Sequence, residues 1–294
     1  METPDMRHYG RGACDKKGFI ACVMALAPVM ARWRLTRPVH IVLTYDEETG
    51  CFGARALVDE LRARGLRPAM AILGEPTMMR VITGHKGCYE YTTRITGCEG
   101  HGSAPDLGVN AAVCATRYAT RLMELEQDLR GRAPAGSPFA PPWTTLNIGR
   151  IHAGVAHNVI PGHAEIDWEM RPVQPSDADH VLSNIDAYAD SLLAAMQAVH
   201  PASAITRETI GEVAGLIPLP QSAIAGIVSA LTGANDTDVV SFGTEAGLFQ
   251  SLGMDCVVCG PGAIEQAHKP DEFVSRDQLA ACLDMLNGLE RHVS

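Results

Sequence analysis

Apolar positions along the chain switch between helical and strand spacings, and the switches divide it. Phe19, Ile20, Val23, Met24, Ala27 and Met30 recur at the spacing of one helix face, with Pro28 expected to kink it. Val39–Tyr45 is a short apolar run that reads as a buried strand. Ala54–Arg64 is helical again and stops at Gly65, and Ala69–Leu73 reads as another buried strand. This alternation predicts a parallel sheet with helices on its faces.

The pattern changes near Gly84. Tyr89, Tyr91, Thr93 and Ile95 alternate with other residues, as in a strand with one solvated face. Asn110–Leu129 is helical, and the Gly- and Pro-rich stretch 130–142 is a loop. Thr144–Ile151 and Ala164–Met170 read as strands and Ala178–Val199 as a long helix. After about Pro201 the helix–strand alternation returns, with short apolar runs at Val239–Ser241 and Cys256–Cys259. The predicted class is α/β. A three-layer domain with a mostly parallel sheet (residues 1–84 and 200–294) is interrupted by a smaller α+β insert over 85–199. The first segment begins almost at once on a Gly-rich turn with no strand before it. Its opening strands are therefore expected to be missing, which would leave an apolar sheet edge bare.

At 294 residues, 46% apolar and 20% charged, the chain can bury a core in two domains. No apolar run approaches the ~20 residues of a membrane helix. Residues 1–11 lack the order of a signal peptide, so a cytoplasmic location is expected. The net charge of −10 argues against a nucleic-acid partner. Nine cysteines, an odd number without framework spacing, suit reduced thiols. Cys256 and Cys259 have C-x-x-C spacing but sit in an apolar run and read as core.

Four places carry acids or His where open α/β sheets build their sites. Asp15 lies in a Gly-rich turn before a helix, as a cap or a ligand would. Asp46, Glu47 and Glu48 follow an apolar run, and like charges this close repel unless cations or protons relieve them. Glu75 ends a buried strand before Pro76, and His268 lies in a turn-rich loop. Each alone has an ordinary reading: a cap, a solvated loop, a turn, a surface imidazole. Jointly, Asp15, Glu48, Glu75 and His268 offer three carboxylates and one imidazole, a mixture that suits zinc, cobalt or manganese. Two such ions ~3.5–4 Å apart can clamp a hydrolytic transition state. Glu47, next to Glu48, would face the water instead of the metal.

The order of motifs resembles a family of two-metal aminoacylases and exopeptidases. The motifs are Gly10–Gly18, Asp46–Glu48, Gly74–Thr77, Gly84–Gly87, His101, Gly108–Ala111 and Gln266–Glu272. The family includes acetylornithine deacetylases, succinyl-diaminopimelate desuccinylases and glutamate carboxypeptidases. Thr144–Gly154, Asn158–Pro161 and Thr244–Ala246 resemble its acetylornithine-deacetylating branch. The resemblance implies hydrolysis of N2-acetyl-L-ornithine with two divalent metal ions, zinc or cobalt. Asp15 would bridge both ions through a turn with a cis Asp15–Lys16 peptide, Glu48 and His268 would hold one ion, and Glu75 the other. Glu47 would be the general base, and His101 would steady the oxyanion in a partner subunit's site, the insert forming a homodimer. Asn158 and Arg171 would bind substrate, and Glu245 would favour its cationic tail. Three positions depart from the family's pattern. None of the eleven His has Asp two residues later, so the His-x-Asp ligand is expected to lie in a missing N-terminal segment. Lys16 stands where Met is common, and Gly102 where Ser is. The alternatives are a deacylase of another N-acyl amino acid, such as N-succinyl-diaminopimelate, or a remnant that dimerises without chemistry.

Overall fold

The computed structural model describes residues 6–294. The chain opens with β1 (Arg7–Tyr9), turns, and enters α1 (Gly18–Met30), which carries Pro28 in its last turn. α2 (Phe52–Ala63), β2 (Met70–Leu73) and β3 (Ile82–His85) follow. Val39–Tyr45, expected as a buried strand, is not one: Ile41, Val42, Leu43 and Tyr45 are exposed. A strand needs a neighbour to satisfy its N–H and C=O groups, and among the described residues none pairs with this run. For the same reason β2, an edge strand, is only half-buried.

From β3 the chain crosses to a second sheet. Its elements are β4 (Cys88–Thr96), β5 (Gly100–His101), α3 (Ala111–Gly131), β6 (Thr145–Ala153), β7 (Val159–Ile160), β8 (His163–Arg171), α4 (Pro175–Val199) and β9 (Ala204–Val213). β6, β8, β4 and β9 form an antiparallel sheet in that order, and β5 and β7 form a separate ribbon. Period-2 alternation turns Tyr91, Ile95, Ile166, Trp168 and Met170 to one face, where Tyr118, Leu122 and Leu125 of α3 and Val181 and Ile185 of α4 cover them. Asn110 starts α3 by accepting a hydrogen bond from Val113 N at 3.0 Å. The sequence pattern placed the return to helix–strand alternation at about residue 200. β9 instead pairs with β4 from Ala204 to Val213, so the antiparallel sheet runs on to Val213.

The chain then re-enters the first sheet through α5 (Ala223–Thr232), β10 (Asp238–Val240), α6 (Ala246–Gln250), β11 (Asp255–Val258), β12 (Phe273–Ser275) and α7 (Arg276–Gly288). The strand order is β10-β3-β11-β2. β10 is parallel to β3 and β11 to β2, while β3 and β11 touch antiparallel at Ile82 and Val258. Side chains of β11 and the residue after it point alternately into two cores. Val257 and Cys259 pack with Cys22 of α1, Val228 of α5 and Met285 of α7. Cys256 and Val258 pack with Val58 of α2 and Phe249 of α6. This is the three-layer arrangement. It also disposes of the C-x-x-C spacing: the two thiols are buried on opposite faces of the sheet. Several strands went unseen in the sequence, β1 among them. β1 precedes the Gly-rich turn and pairs antiparallel with β12, His8 opposite Val274.

Candidate active site

The Asp15 turn is built by its neighbour in space. Because β1 runs beside β12, Gly10 N donates to Glu272 O at 2.9 Å, which sets the Glu272 side chain under the turn. Gly12, at φ 72°, reverses the chain there. The buried Glu272 carboxylate then accepts from Gly12 N at 2.6 Å, Cys14 N at 2.9 Å and Asp15 N at 3.1 Å. Burial works to raise the Glu272 pKa, but these N–H groups outweigh it and hold the carboxyl below its ordinary range. Gly262 (φ 92°) closes the other side: a Cβ there would stand 2.6 Å from Cys14 Cβ. The Asp15–Lys16 peptide is cis, as the resemblance implied.

Glu47 and Glu48 occupy a single turn of 3-10 helix, Glu47–Thr49, between two residues at positive φ, Asp46 (53°) and Cys51 (57°). This tight turn sends neighbouring acids different ways, which a continuing strand would also have done but without bending toward Asp15. His268 also has positive φ, 60°. Its Nε2 lies 2.7 Å from Glu48 Oε1 and 3.2 Å from Asp15 Oδ2. Glu48, by hydrogen bond and by charge, and then Asp15 raise the His268 pKa. The carboxylates that favour an imidazolium here are those that would face a cation.

This geometry fits a divalent ion. One ligand atom from each of Asp15, Glu48 and His268 lies within 4.8 Å of the others, a span that metal–ligand bonds of ~2.0–2.2 Å can bridge. Two carboxylates and an imidazole are a donor set for zinc or cobalt. Glu75 is differently placed. It is buried after β2, and its Oε1 pairs with the Lys16 ammonium. Burial works against the charge on Lys16, but Glu75, then Glu47 and Glu245, overcome it and hold the ammonium above the ordinary lysine range. A second cation at Glu75 does not fit while Lys16 stands there.

Glu47 is half-buried in the same group. Burial pushes its carboxyl up to about 7; Lys16 pulls against this, while Glu75, Glu48 and Glu245 add to it. Glu245 is buried, its Oε2 accepting from Thr44 Oγ1 at 2.8 Å and its Oε1 left without a hydrogen-bond partner. The turn that carries it is fixed by the buried His85. His85 Nδ1 donates to Lys86 O at 2.8 Å, Thr244 Oγ1 donates to His85 Nε2 at 2.9 Å, and Ala246 N donates to Thr244 Oγ1 at 3.1 Å.

Asp15, Glu47, Glu48, Glu75, Glu245 and His268 are thus brought together. Arg171 pairs with Glu169 at 2.6 Å. Its charge and that of Glu47 both act on the Cys88 thiol at the start of β4. His101 and Asn158 lie apart, on the β5–β7 ribbon and its flank. His101 Nδ1 meets Ser103 Oγ at 2.7 Å, and Gly102 N donates to Asn158 O at 2.7 Å; neither hydrogen bond reaches the acids. Two contributors escaped the sequence reading as functional residues. Glu272 stood inside a quoted motif without a role. Lys16 stood out only as a departure from Met.

The description Peptidase family M20/M25/M40 matches residues 2–291. An acetylornithine deacetylase of Myxococcus xanthus is 37% identical over 285 residues, covering 96% of this chain and 71% of the relative. The chain belongs to peptidase family M20/M25/M40. A second acetylornithine deacetylase, from Erwinia tasmaniensis, is 35% identical over 292 residues, 98% of this chain and 73% of the relative. Solved structures share the fold. A tripeptidase from Staphylococcus aureus superposes with a TM-score of 0.75 at 19% identity, over 99% of this chain and 75% of the other. An M20 family metallo-carboxypeptidase from Sulfolobus solfataricus does so with a TM-score of 0.72 at 16% identity, over 98% and 78%. The chain is thus a metallohydrolase by family, and members of this family generally use divalent metal ions. Among the described residues no helix is long and apolar enough to cross a membrane.

Proposed function

We propose that this chain hydrolyses the amide bond of N2-acetyl-L-ornithine to L-ornithine and acetate, using a divalent ion held by Asp15, Glu48 and His268. The observation that carries the reading is the meeting of those three side chains, with His268 lying 220 residues beyond Glu48 along the chain, beside the half-buried Glu47. The relatives in M. xanthus and E. tasmaniensis support the choice of substrate.

When bound, zinc or cobalt there would supply Lewis acidity to water and to the acyl carbonyl. The chain's residues do the rest. Glu47 takes a proton from the attacking water on its carboxylate. Burial holds its carboxyl above the ordinary carboxylate range, which favours taking that proton and then returning it to the departing amine. Glu272 keeps Asp15 in place by gripping the backbone on which it sits. Arg171 is a cation for the substrate's α-carboxylate, which would compete with Glu169 for the guanidinium. Glu245, with one oxygen unpartnered, is an acceptor for the amine of the ornithine tail. Asn158 contributes a polar contact, and His101 steadies the oxyanion from a partner subunit's ribbon in a homodimer formed through the insert. The expected setting is the cytoplasm.

The test is release of ornithine from N-acetylornithine by the protein loaded with Zn2+ or Co2+, with a chelator as control. Metal-dependent release that Asp15→Asn abolishes supports the reading. Failure to cleave any N-acyl amino acid, with the ion bound, would overturn it.

A further inference from the structure

We infer that the Lys16 ammonium is a built-in replacement for the second metal ion, so that the centre takes one divalent ion per chain. The inference rests on the reading of Asp15, Glu48 and His268 as ligands, and adds what happens on the Glu75 side.

Three observations carry it. The Lys16 ammonium pairs directly with Glu75, the carboxylate that would otherwise face a second cation. The pair is not a loose surface bridge, since the Glu75 side chain is 7% exposed and that of Lys16 26%. Lys16 cannot easily swing away either. Its backbone is part of the turn that Glu272 and Gly262 clamp, one residue after Asp15. A methionine at this position would bring no charge and would leave Glu75 free for an ion. Lysine brings a cation that needs no ligand set, and one that dialysis cannot remove. A divalent ion at Glu75 would have to displace it into the same cluster at close range, where like charges repel.

The consequence is a stoichiometry. Chelator-stripped protein is dialysed against Co2+ or Zn2+, and bound ion per chain is measured by elemental analysis and by calorimetric titration. The wild type should bind one equivalent. Glu75→Gln should still bind one, with affinity changed by less than about threefold, because Glu75 is not a ligand. Lys16→Met should add a second, weaker equivalent. Circular dichroism on each variant shows whether it is folded, and the wild-type and Glu75→Gln results stand without Lys16→Met. Two equivalents on the wild type, or loss of an equivalent in Glu75→Gln, would overturn the inference and leave the ligand set intact. No binding by the folded wild type would instead sink the ligand set, and the inference with it.

Discussion

Glu272 is the residue on which the position of Asp15 depends, and its replacement by Gln gives a calculable loss. The carboxylate accepts three backbone N–H groups, Gly12 N at 2.6 Å on Oε2 and Cys14 N and Asp15 N at 2.9 and 3.1 Å on Oε1. Hydrogen bonds to a charged group contribute about 1.5–3 kcal/mol each. In Glu272→Gln the amide oxygen can keep the Cys14 and Asp15 contacts as neutral bonds, while the amide NH2 is turned on Gly12 N, donor against donor. One charge-assisted bond is lost, two are weakened and one half-buried N–H is orphaned, which together should cost about 3 kcal/mol. Urea unfolding of stripped protein measures this directly. Because the turn carries Asp15, ion affinity at the Asp15, Glu48 and His268 site should also fall, by about tenfold for every 1.4 kcal/mol that the misplacement costs. A variant within about 0.5 kcal/mol of the wild type, the range of an ordinary surface change, and with unaltered ion affinity would refute the reasoning.

Other outcomes follow from the same geometry. Glu47→Gln should lower kcat by about 10²–10⁴-fold, the usual contribution of a general base, while bound ion per chain is unchanged; an activity loss below tenfold would remove Glu47 from that role. Glu245→Gln should narrow the preference for N-acetylornithine over neutral N-acetyl amino acids, read as a ratio of kcat/KM values. An unchanged ratio would remove it from tail recognition. His85 is buried and held neutral, its pKa pushed by desolvation from 6.5 to about 4. The unfolded chain therefore binds this proton first. Stability from His85 is complete above pH 6.5 and falls as pH drops toward 4, by up to about 3 kcal/mol. His85→Gln should remove that share of the slope, and equal slopes in both proteins between pH 6.5 and 4 would contradict it.

Much of this molecule could be read from residue spacing because the signals were local. Period-2 alternation at Tyr89–Ile95 and at Ala164–Met170 marked strands of the antiparallel sheet, and Asn110 marked the start of α3. The acids and His268 could be picked out because each lies in a turn, Glu47, Glu48 and Glu75 after an apolar run and Asp15 and His268 in glycine-rich stretches. What failed was non-local. Val39–Tyr45 has the composition of a buried strand, but burial depends on a neighbour, and none of the described strands pairs with it. β1 is three exposed residues with no apolar signature, and only its pairing with β12 makes it a strand. β9 carries Thr206, Glu208 and Glu212 among its apolar residues, so its place in the second sheet is fixed by β4 rather than by its own pattern. Lys16 shows the same limit in chemistry. Its identity was plain in the sequence, but its ion pair with Glu75, 59 positions later, was not.

Anomalous diffraction from crystals grown with Co2+ or Zn2+ locates the ion without reference to activity. One peak is expected, enclosed by Asp15, Glu48 and His268. A peak at any other set of side chains, or none at saturating ion, would contradict that ligand set.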